Sequence, residues 1–413
     1  MVLCGFCANA ANIETAVEQK LESSVSTGSH LNIAVLYSTR GHRGIYKELT
    51  ERFNQVHPDI SLSFNGLLDE QYKESVNQWL ATGEMDVLYW QAGERLTSVV
   101  GRELIHPIDD LWREHTLDEA FPEAIKNAVS FKQKAYALPF TYYAWGMLYS
   151  KPILAQLGVA PPQDWADLLN LCVKARQQNI VPIMIGSADP WLPAAWFDYI
   201  NLRLNGLAFH KQLLRGLHPF TDERVVNVFN HWKQLIDSEC FVSEHEHIDW
   251  RRLLPPIFRQ MAASSLVANF LDVDTPPDYF DRIAFRSFPR IDPEMPVYED
   301  MPLDVFVIAN RSKNITSAEK FLAFMSRLDT QTFIAKAIGQ SSPHLAWDNV
   351  GSLSQQNKII LQNVSGVAQY FDRDIQQSMV EGSLEILAQF LKTPDVERTV
   401  QQLEKLRLTQ LGD

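Results

Sequence analysis

The chain is short of cysteine and of cations, and those shortages remove several classes of function. Lysine and arginine number 37 against 50 aspartates and glutamates in 413 residues, a formal net charge of −13. A surface of that sign repels a phosphate backbone and an anionic lipid face, so neither nucleic acid nor a membrane surface is an expected partner. No run of apolar residues is long enough to span a bilayer. A glycine-rich phosphate loop, a G-x-S-x-G turn and an H-E-x-x-H helix are all missing, and with them the usual sequence marks of nucleotide binding, serine hydrolysis and zinc proteolysis. No short-period repeat is present, which argues against a solenoid or a propeller. The cysteines number four. Cys4 and Cys7 form a C-x-x-C, but without the βαβ surroundings of a redox motif. Cys172 falls on the apolar stripe of a helix with Leu168 and Ala175, which favours a buried thiol there over a disulfide with Cys240.

What is present points to two cores. A chain of 413 residues is too long for one ordinary hydrophobic core, and 46% hydrophobic content suits a globular α/β protein. The first third alternates strand and helix signals. A compact apolar run at 31–37 is followed by a helix with Ile45, Leu49, Phe53 and Val56 on one face. Ile60, Leu62 and Phe64 then alternate as a strand, Tyr72, Val76 and Leu80 mark a second helix, and 86–90 is a third strand. This order predicts a parallel sheet with crossover helices, and ligands gather beyond the carboxyl ends of such strands. Tyr37, Arg40, Asn65, Trp90 and Gln91 occupy those ends.

The stretch 134–152 stands apart. Tyr136, Tyr142, Tyr143, Trp145 and Tyr149 crowd into it, yet Pro139 and Gly146 break it. Aromatics with polar tips suit a place where one face meets apolar surface and the other meets water or a polar ligand, so this stretch predicts a crossover between lobes, lining a cleft. Further on, 181–185 reads as a buried strand, 187–196 as a proline- and tryptophan-rich loop, 266–270 and 303–309 as strands, and 287–302 as irregular. Thr316 to Glu319 has the pattern of a capping box. Residues 366–411 read as amphipathic helix.

Taken together, FNQVHPDISLSF, EQYKESVNQWLATGEMDVLYW, GRELIHPIDDL, AYALPFTYYAWGMLYSKPILAQLGVAPPQDWADLL and DVFVIANRSKNITSAEKFLAFMSRLDTQTFIAKAIGQSSPH occur in an order that resembles the extracellular solute-binding proteins, family 1, of sugar-type ABC importers. One departure is Asp300-Met301-Pro302, which stands where the family has a glycine pair. The resemblance implies a two-lobed periplasmic-binding-protein fold of type II. Each lobe would be a mostly parallel sheet flanked by helices, joined to the other by three crossings near 142–146, 301–304 and 343–347. The N-terminal lobe would hold 31–141 plus 304–343, the C-terminal lobe 146–300 plus 347–413. It further implies a periplasmic, non-enzymatic, monomeric protein that captures a sugar in the cleft and delivers it to the inner-membrane subunits of an ABC permease. The alternatives are delivery to a chemosensory partner and a glycoside-processing enzyme using paired carboxylates such as Glu94 and Asp304.

A sugar offers an apolar C–H face and a ring of hydroxyls, so its site needs aromatic rings together with Asp, Asn, Gln, Arg or His. The candidates are Trp90 with Gln91 and Glu94, Tyr142 and Trp145 at the first crossing, and Trp191 and Trp196 in the loop. Asn269 and Asp304 at strand termini, Tyr37 and Arg40 after the first strand, Asn65, and His344 at the third crossing complete the set. For Trp90 core packing is an equal reading, and for Arg40 and Tyr37 the alternative is a solvated turn. Glu244, His245, Glu246, His247 and Asp249 are metal-ligand residue types, but HxH without a helical frame favours a solvated loop, and no metal or cofactor is expected.

At the other end of the chain, MVLCGFCANAA is a short apolar run ending in Ala8-Asn9-Ala10, a small-x-small pattern that suits signal peptidase. Residues 1–10 read as a truncated signal peptide without its basic region. A lipoprotein reading fails, because Met1 crowds Cys4 and bulky Phe6 precedes Cys7. Cleavage after Ala10 is expected, and mass spectrometry of a periplasmic extract should find Ala11 at the mature N-terminus. An intact Met1 on a cytoplasmic protein would contradict it.

Overall fold

Residue spacing explains the elements of the first third. In the helix His42–Val56, Leu49 and Phe53 lie four apart and are buried, and in Asp69–Thr82 the same spacing buries Tyr72, Val76 and Leu80. Gly83, at φ 72°, closes the second helix by donating its N–H to Trp79 O at 2.9 Å, a left-handed cap that favours glycine. These elements belong to a computed structural model that describes residues 28–36, 42–268, 277–348 and 352–411.

The strands that place the site are, in chain order, β1 (Ser29–Leu36), β2 (Ile60–Leu67), β3 (Val87–Gln91), β4 (Leu138–Tyr142), β5 (Trp145–Ser150), β6 (Val181–Met184), β7 (Ala262–Ala268), β8 (Ile283–Arg286), β9 (Tyr298–Asp300), β10 (Leu303–Ile308) and β11 (Gly366–Ala368). One sheet has the order β2-β1-β3-β10-β4, the other β8-β5-β7-β6. In the first, β10 runs antiparallel to both neighbours while β2, β1 and β3 pair in parallel. In the second, β5 is the reversed strand, antiparallel to β8 and β7, and β7 pairs in parallel with β6. Each sheet therefore has one strand against the grain, and in each case it is the strand that the chain enters straight after passing from elsewhere. β4 and β5 are separated only by Tyr143 and Ala144, so the chain leaves one sheet and joins the other within two residues. Met301 and Pro302 make the corresponding step from β9 to β10. A third contact ties the later chain to this place, where Tyr142 and Ser341 exchange backbone hydrogen bonds at 2.9 and 3.1 Å.

The helices Ile315–Ser326 and Leu328–Ile338 cover the first sheet, with Phe321 meeting Phe53, Phe64 and Phe306 edge-on. The helices Lys151–Leu157, Trp165–Gln177 and Leu254–Phe258 lie on the second sheet, and Ala194–Leu214 and Glu223–Asp237 form a helical layer that the C-terminal helices Val380–Lys392 and Val396–Leu411 join through Phe390, which touches Phe229 and Trp232. Between the layers, β9 and β11 form a short parallel ladder, Tyr298 opposite Gly366 and Asp300 opposite Ala368.

Four sequence expectations are corrected. Cys172 and Cys240 are joined in a disulfide, fastening the helix Trp165–Gln177 to the segment after Glu223–Asp237. A buried thiol on an apolar stripe and a buried half-cystine look alike in sequence, since both are small and apolar. Trp196 lies inside the helix Ala194–Leu214, not in a loop. The helix Ile315–Ser326 starts after Asn314 with no side-chain cap, so Thr316 sits within its first turn and the capping box does not form. Residues 366–411 hold β11, the short turn Phe371–Asp374 and then two helices, not one run of helix.

The disulfide closes a loop of sequence separation 68. Cys240→Ala should lower the unfolding free energy by about 2–4 kcal/mol, read from urea denaturation with and without reductant. An unchanged midpoint would contradict the pairing.

Candidate functional site

Where β4 hands over to β5, and where β10 lies between β3 and β4, aromatic and charged side chains converge. Strand alternation sends Tyr89 and Gln91 to one face of β3 and Trp90 to the other. On the first face, Tyr89 Oη donates to Asp304 Oδ1 at 2.8 Å, and Gln91 Nε2 donates to Tyr89 Oη at 3.4 Å. Asp304 pairs with Gln91 in the ladder, and a register shift at Asp304/Val305 tips this end of β10 toward its neighbour. Arg373 approaches from the other side, its Nη1 3.2 Å from Asp304 Oδ1, and its guanidinium lies over the Tyr143 ring at 5.3 Å. Arg95 completes the polar wall: it donates to Gln91 Oε1, to Asp372 O at 3.2 Å and to Asp372 Oδ2 at 3.3 Å.

The facing wall is aromatic. Trp145 and Tyr370 stack at 4.6 Å and 16°, and Trp191 meets both edge-on at 6.1 and 6.2 Å. Tyr370 Oη donates to Trp191 O. Tyr199 Oη lies 2.6 Å from Trp145 O and 2.9 Å from Glu299 Oε2, its one proton shared between the two acceptors, and Glu299 is paired with the buried Arg203 at 2.7 Å. Trp145 and Tyr370 are buried, whereas Tyr143, Trp191 and Asp372 are half-buried and supply the reachable surface.

One segment, Gln369 to Asp374, joins the two walls, contributing Tyr370 to one and Asp372 and Arg373 to the other. It is held from both flanks. Asp198 Oδ2 accepts from Phe371 N at 2.8 Å, Asp374 Oδ2 from Gln369 N at 2.9 Å, and Gln369 Oε1 from Leu303 N at 2.8 Å. Gly93, at φ 86°, admits this segment closely: a Cβ there would stand 2.5 Å from Asp374 Oδ1. Burial, then the neighbouring carboxylates, raises Asp300 and Asp198 well above the ordinary carboxylate range, and burial raises Asp374 despite Lys211 nearby. Burial also pushes Tyr143 upward and keeps His210 neutral by lowering it to about 3.

The sequence candidates divide as follows. Gln91, Trp145, Trp191 and Asp304 are brought together. Trp90 faces a separate cavity of about 380 Å³ whose lining includes Glu94, Arg95 and Gln376, and its indole N–H donates to Arg95 O at 3.0 Å. Glu94 pairs there with Arg215 at 2.9 Å, and burial raises its pKa. Tyr142 is buried with its backbone tied to Ser341, and Trp196 packs edge-on against Phe241 and Phe288 in the second layer. Asn65 bonds Ser63 O at 3.4 Å, and His344 meets Phe121 at 5.7 Å. Tyr37, Arg40 and Asn269 lie outside the described residues. Around the HxH stretch, His245 Nδ1 meets Ser187 Oγ at 2.8 Å and Glu246 meets Lys392 at 2.6 Å; among the described residues no group of three His, Cys, Asp or Glu is placed to hold a metal. Sequence reasoning missed Tyr89, Arg95, Tyr370, Asp372 and Arg373, and placed Tyr143 in the aromatic run expected to line the cleft without naming it as a ligand contact. Tyr370 to Asp374, YFDRD, carried the signal: an aromatic pair beside alternating charge with no helical period.

The model of the bacterial extracellular solute-binding proteins matches residues 39–332. The chain belongs to that family. Among solved structures, this solute-binding protein superposes on the bacterial solute receptor AcbH with a TM-score of 0.85 at 21% identity, covering 94% of this chain and 100% of that one. On RafE in complex with raffinose the TM-score is 0.71 at 14% identity, with 92% and 99% covered. These likenesses establish the two-lobed type II fold. In sequence, a mannitol-binding protein of Pseudomonas aeruginosa is 26% identical over 174 residues, 37% of this chain and 39% of that protein. The melibiose/raffinose/stachyose-binding protein MelE of Bacillus subtilis is 25% identical over 183 residues, 43% of this chain and 41% of that protein. The solute-binding protein thus spans about two fifths of the length of these curated relatives.

Arg373 and Asp304 are both nearly buried, at 7% and 9% side-chain exposure, so removing one strands the other without solvent. Arg373→Leu should destabilise the protein by about 3–5 kcal/mol, and adding Asp304→Asn should recover a large part of it. Strictly additive losses in urea denaturation would contradict the coupling.

Proposed function

We propose that this chain captures a carbohydrate between its two lobes and passes it to the membrane subunits of an ABC importer. The observation that carries the reading is the pairing of an aromatic wall, Trp145, Trp191 and Tyr370, with a charged hydroxyl-binding wall, Asp304, Arg373, Arg95 and Asp372, at the junction of the two sheets. Ring C–H faces pack on the first wall, and hydroxyls exchange hydrogen bonds with the second. Tyr143 and Trp191, being half-buried, meet the ligand. Trp90 and Glu94 extend the site into the adjoining cavity, and the two lobes, 31–141 plus 304–343 and 146–300 plus 347–413, close around the ligand as a monomeric clamp. The specificities of related proteins, mannitol and melibiose/raffinose/stachyose in sequence, galactopyranose and raffinose in structure, support a sugar. The family's extracellular character and the Cys172–Cys240 disulfide support export to the oxidising periplasm. Membership of a family of solute-binding proteins supports capture without turnover.

Titration with galactose, melibiose, raffinose, mannitol and maltotriose tests this. At least one should quench or enhance tryptophan fluorescence, raise the melting temperature by mass action and leave the reaction mixture unchanged by chromatography. Trp191→Ala should weaken that ligand roughly tenfold, about 1.4 kcal/mol. Small-angle scattering should show a smaller radius of gyration with ligand. Full affinity in Trp191→Ala together with Tyr143→Ala would remove the site from this junction, and turnover of any sugar would remove the non-enzymatic reading.

A further inference from the structure

A further cavity, of about 1010 Å³, is lined by none of the side chains that form the two walls of the junction. One side of it is the helix Ser352–Gln362, which presents Gln356, Ile359 and Ile360, with Asn363 just beyond, at the i, i+3, i+4, i+7 spacing of a single helical face. Another side is the loop that holds Pro161 and Pro162, stiffened by its two rings. Backbone bonds fasten this loop to the segment after β8: Arg290 N donates to Gln163 O at 2.9 Å, and Trp165 N donates to Arg290 O at 2.8 Å. Phe285 and Phe288, both buried, form the floor. Phe288 stacks on Tyr199 at 5.0 Å and 15°, and the Tyr199 hydroxyl reaches Trp145 O, so one tyrosine links this floor to the aromatic wall of the junction.

Two properties of the lining ask for a ligand. The first is charge. Arg203, Arg286 and Arg290 line the cavity, and among the described residues no aspartate or glutamate does, in a chain whose net charge is −13. Arg203 is spent, its guanidinium divided among Glu299, Phe288 O and Tyr298 O. Arg286 and Arg290 are exposed and keep donors to spare. Arg286 Nη1 donates to Phe285 O and to Gln356 Oε1, both at 2.8 Å, and Arg290 Nη1 donates to Pro293 O at 2.8 Å. Among the described residues neither guanidinium meets a carboxylate. The acids nearest to Arg290 along and across the backbone serve turns instead: Asp164 Oδ1 accepts from Asp167 N and Asp292 Oδ1 from Glu294 N, each at 2.9 Å. The second property is apolar surface left in water. Ile359 is 56% exposed on the face turned to the cavity, whereas Ile360 beside it is 8% exposed. Gln356 brings the two properties together, because the side chain that accepts from Arg286 stands one turn before Ile359 on the same face.

We propose that this cavity is a second binding site, for a small organic anion: a carboxylate carried on an apolar aryl or acyl body. A guanidinium is a planar fork that matches a carboxylate with two parallel hydrogen bonds, and Arg286 has its Nε and Nη2 edge available for that contact. The apolar body covers Ile359 and packs toward Pro161, removing both from water. Arg290 adds a second positive charge to the lining. A neutral sugar would leave these charges unanswered, and an anion without a body would leave Ile359 exposed, so the lining is matched by the two features in one molecule. The volume stands at the upper end of the range for small-molecule sites, roughly 300–1,000 Å³. The site is independent of sugar capture at the junction.

Isothermal titration calorimetry of the full chain with naphthoate and with octanoate tests this, naphthoate standing for an aryl body and octanoate for an acyl one. At least one of them should bind one-to-one. Acetate, which lacks the body, and the matching alcohol, naphthyl methanol or octanol, which lacks the charge, should each bind at least about tenfold more weakly. Arg286→Gln keeps a polar side chain but removes the charge, and should weaken the bound probe about tenfold. Ile359→Glu, at an exposed position, puts an anion into the lining and should weaken it at least as much. Neither acid binding saturably, or the alcohol binding as tightly as its acid, overturns the proposed ligand class. Full affinity in either variant overturns the location. Should Arg286→Gln not fold, the parent protein still decides the role of charge: raising sodium chloride from about 0.05 M to about 0.5 M should weaken the probe severalfold, and an affinity indifferent to salt overturns recognition by the arginines.

Discussion

The ion pair of Arg373 with Asp304 is the contact on which the junction depends. It is almost dry, so neither charge is tolerable alone. Asp304 is anchored in the first sheet through β10 and by Tyr89, while Arg373 stands on a segment fixed to the second layer by Asp198. The pair therefore spans two bodies of structure, and both walls take their position from it. Tyr370 stacks on Trp145 because its neighbour three residues on reaches Asp304, and Arg95 is ordered because Asp372 stands between them. Neutral residues of similar size would pack as firmly, but they would take the opposed charges out of the junction.

Much of the fold was legible because period and order are local properties. The strand-helix alternation before residue 91 and the broken aromatic run at 134–152 both reflect what single segments must bury, and the observed sheets use them as expected. Trp145, Trp191, Gln91 and Asp304 were also visible, since aromatic and polar residues at strand ends and crossings are few. The rest depends on distant pairings. Cys172 and Cys240 are 68 positions apart and nothing local distinguishes a half-cystine from a packed thiol. Arg373 lies 69 positions from Asp304, within a stretch whose flanking helical periods mask the turn at Phe371–Asp374. Tyr143 was legible only as one of the aromatics of the 134–152 run, because Tyr142 beside it has the same chemistry and the sequence does not show that β4 ends between them.

The disulfide and the ion pair work on different states. A cross-link between residues far apart acts mainly on the unfolded ensemble by restricting it. The buried pair acts on the native state, setting which arrangement of the junction is allowed. The second layer thus has a covalent fastening of its own, and the junction relies on a buried ion pair.

The order of the strands across the sheets has a consequence for biosynthesis. β10 is the fourth strand across the first sheet, yet it lies some 160 residues after β4, and β7 is likewise needed inside the second sheet long after β5. At ordinary ribosomal speeds the gap between β4 and β10 lasts on the order of ten seconds. Throughout that interval the first sheet has a vacancy between β3 and β4 and cannot complete its core. Neither half is able to finish early, so the nascent polypeptide remains loose until late in its synthesis, a state suited to threading through a narrow translocation channel.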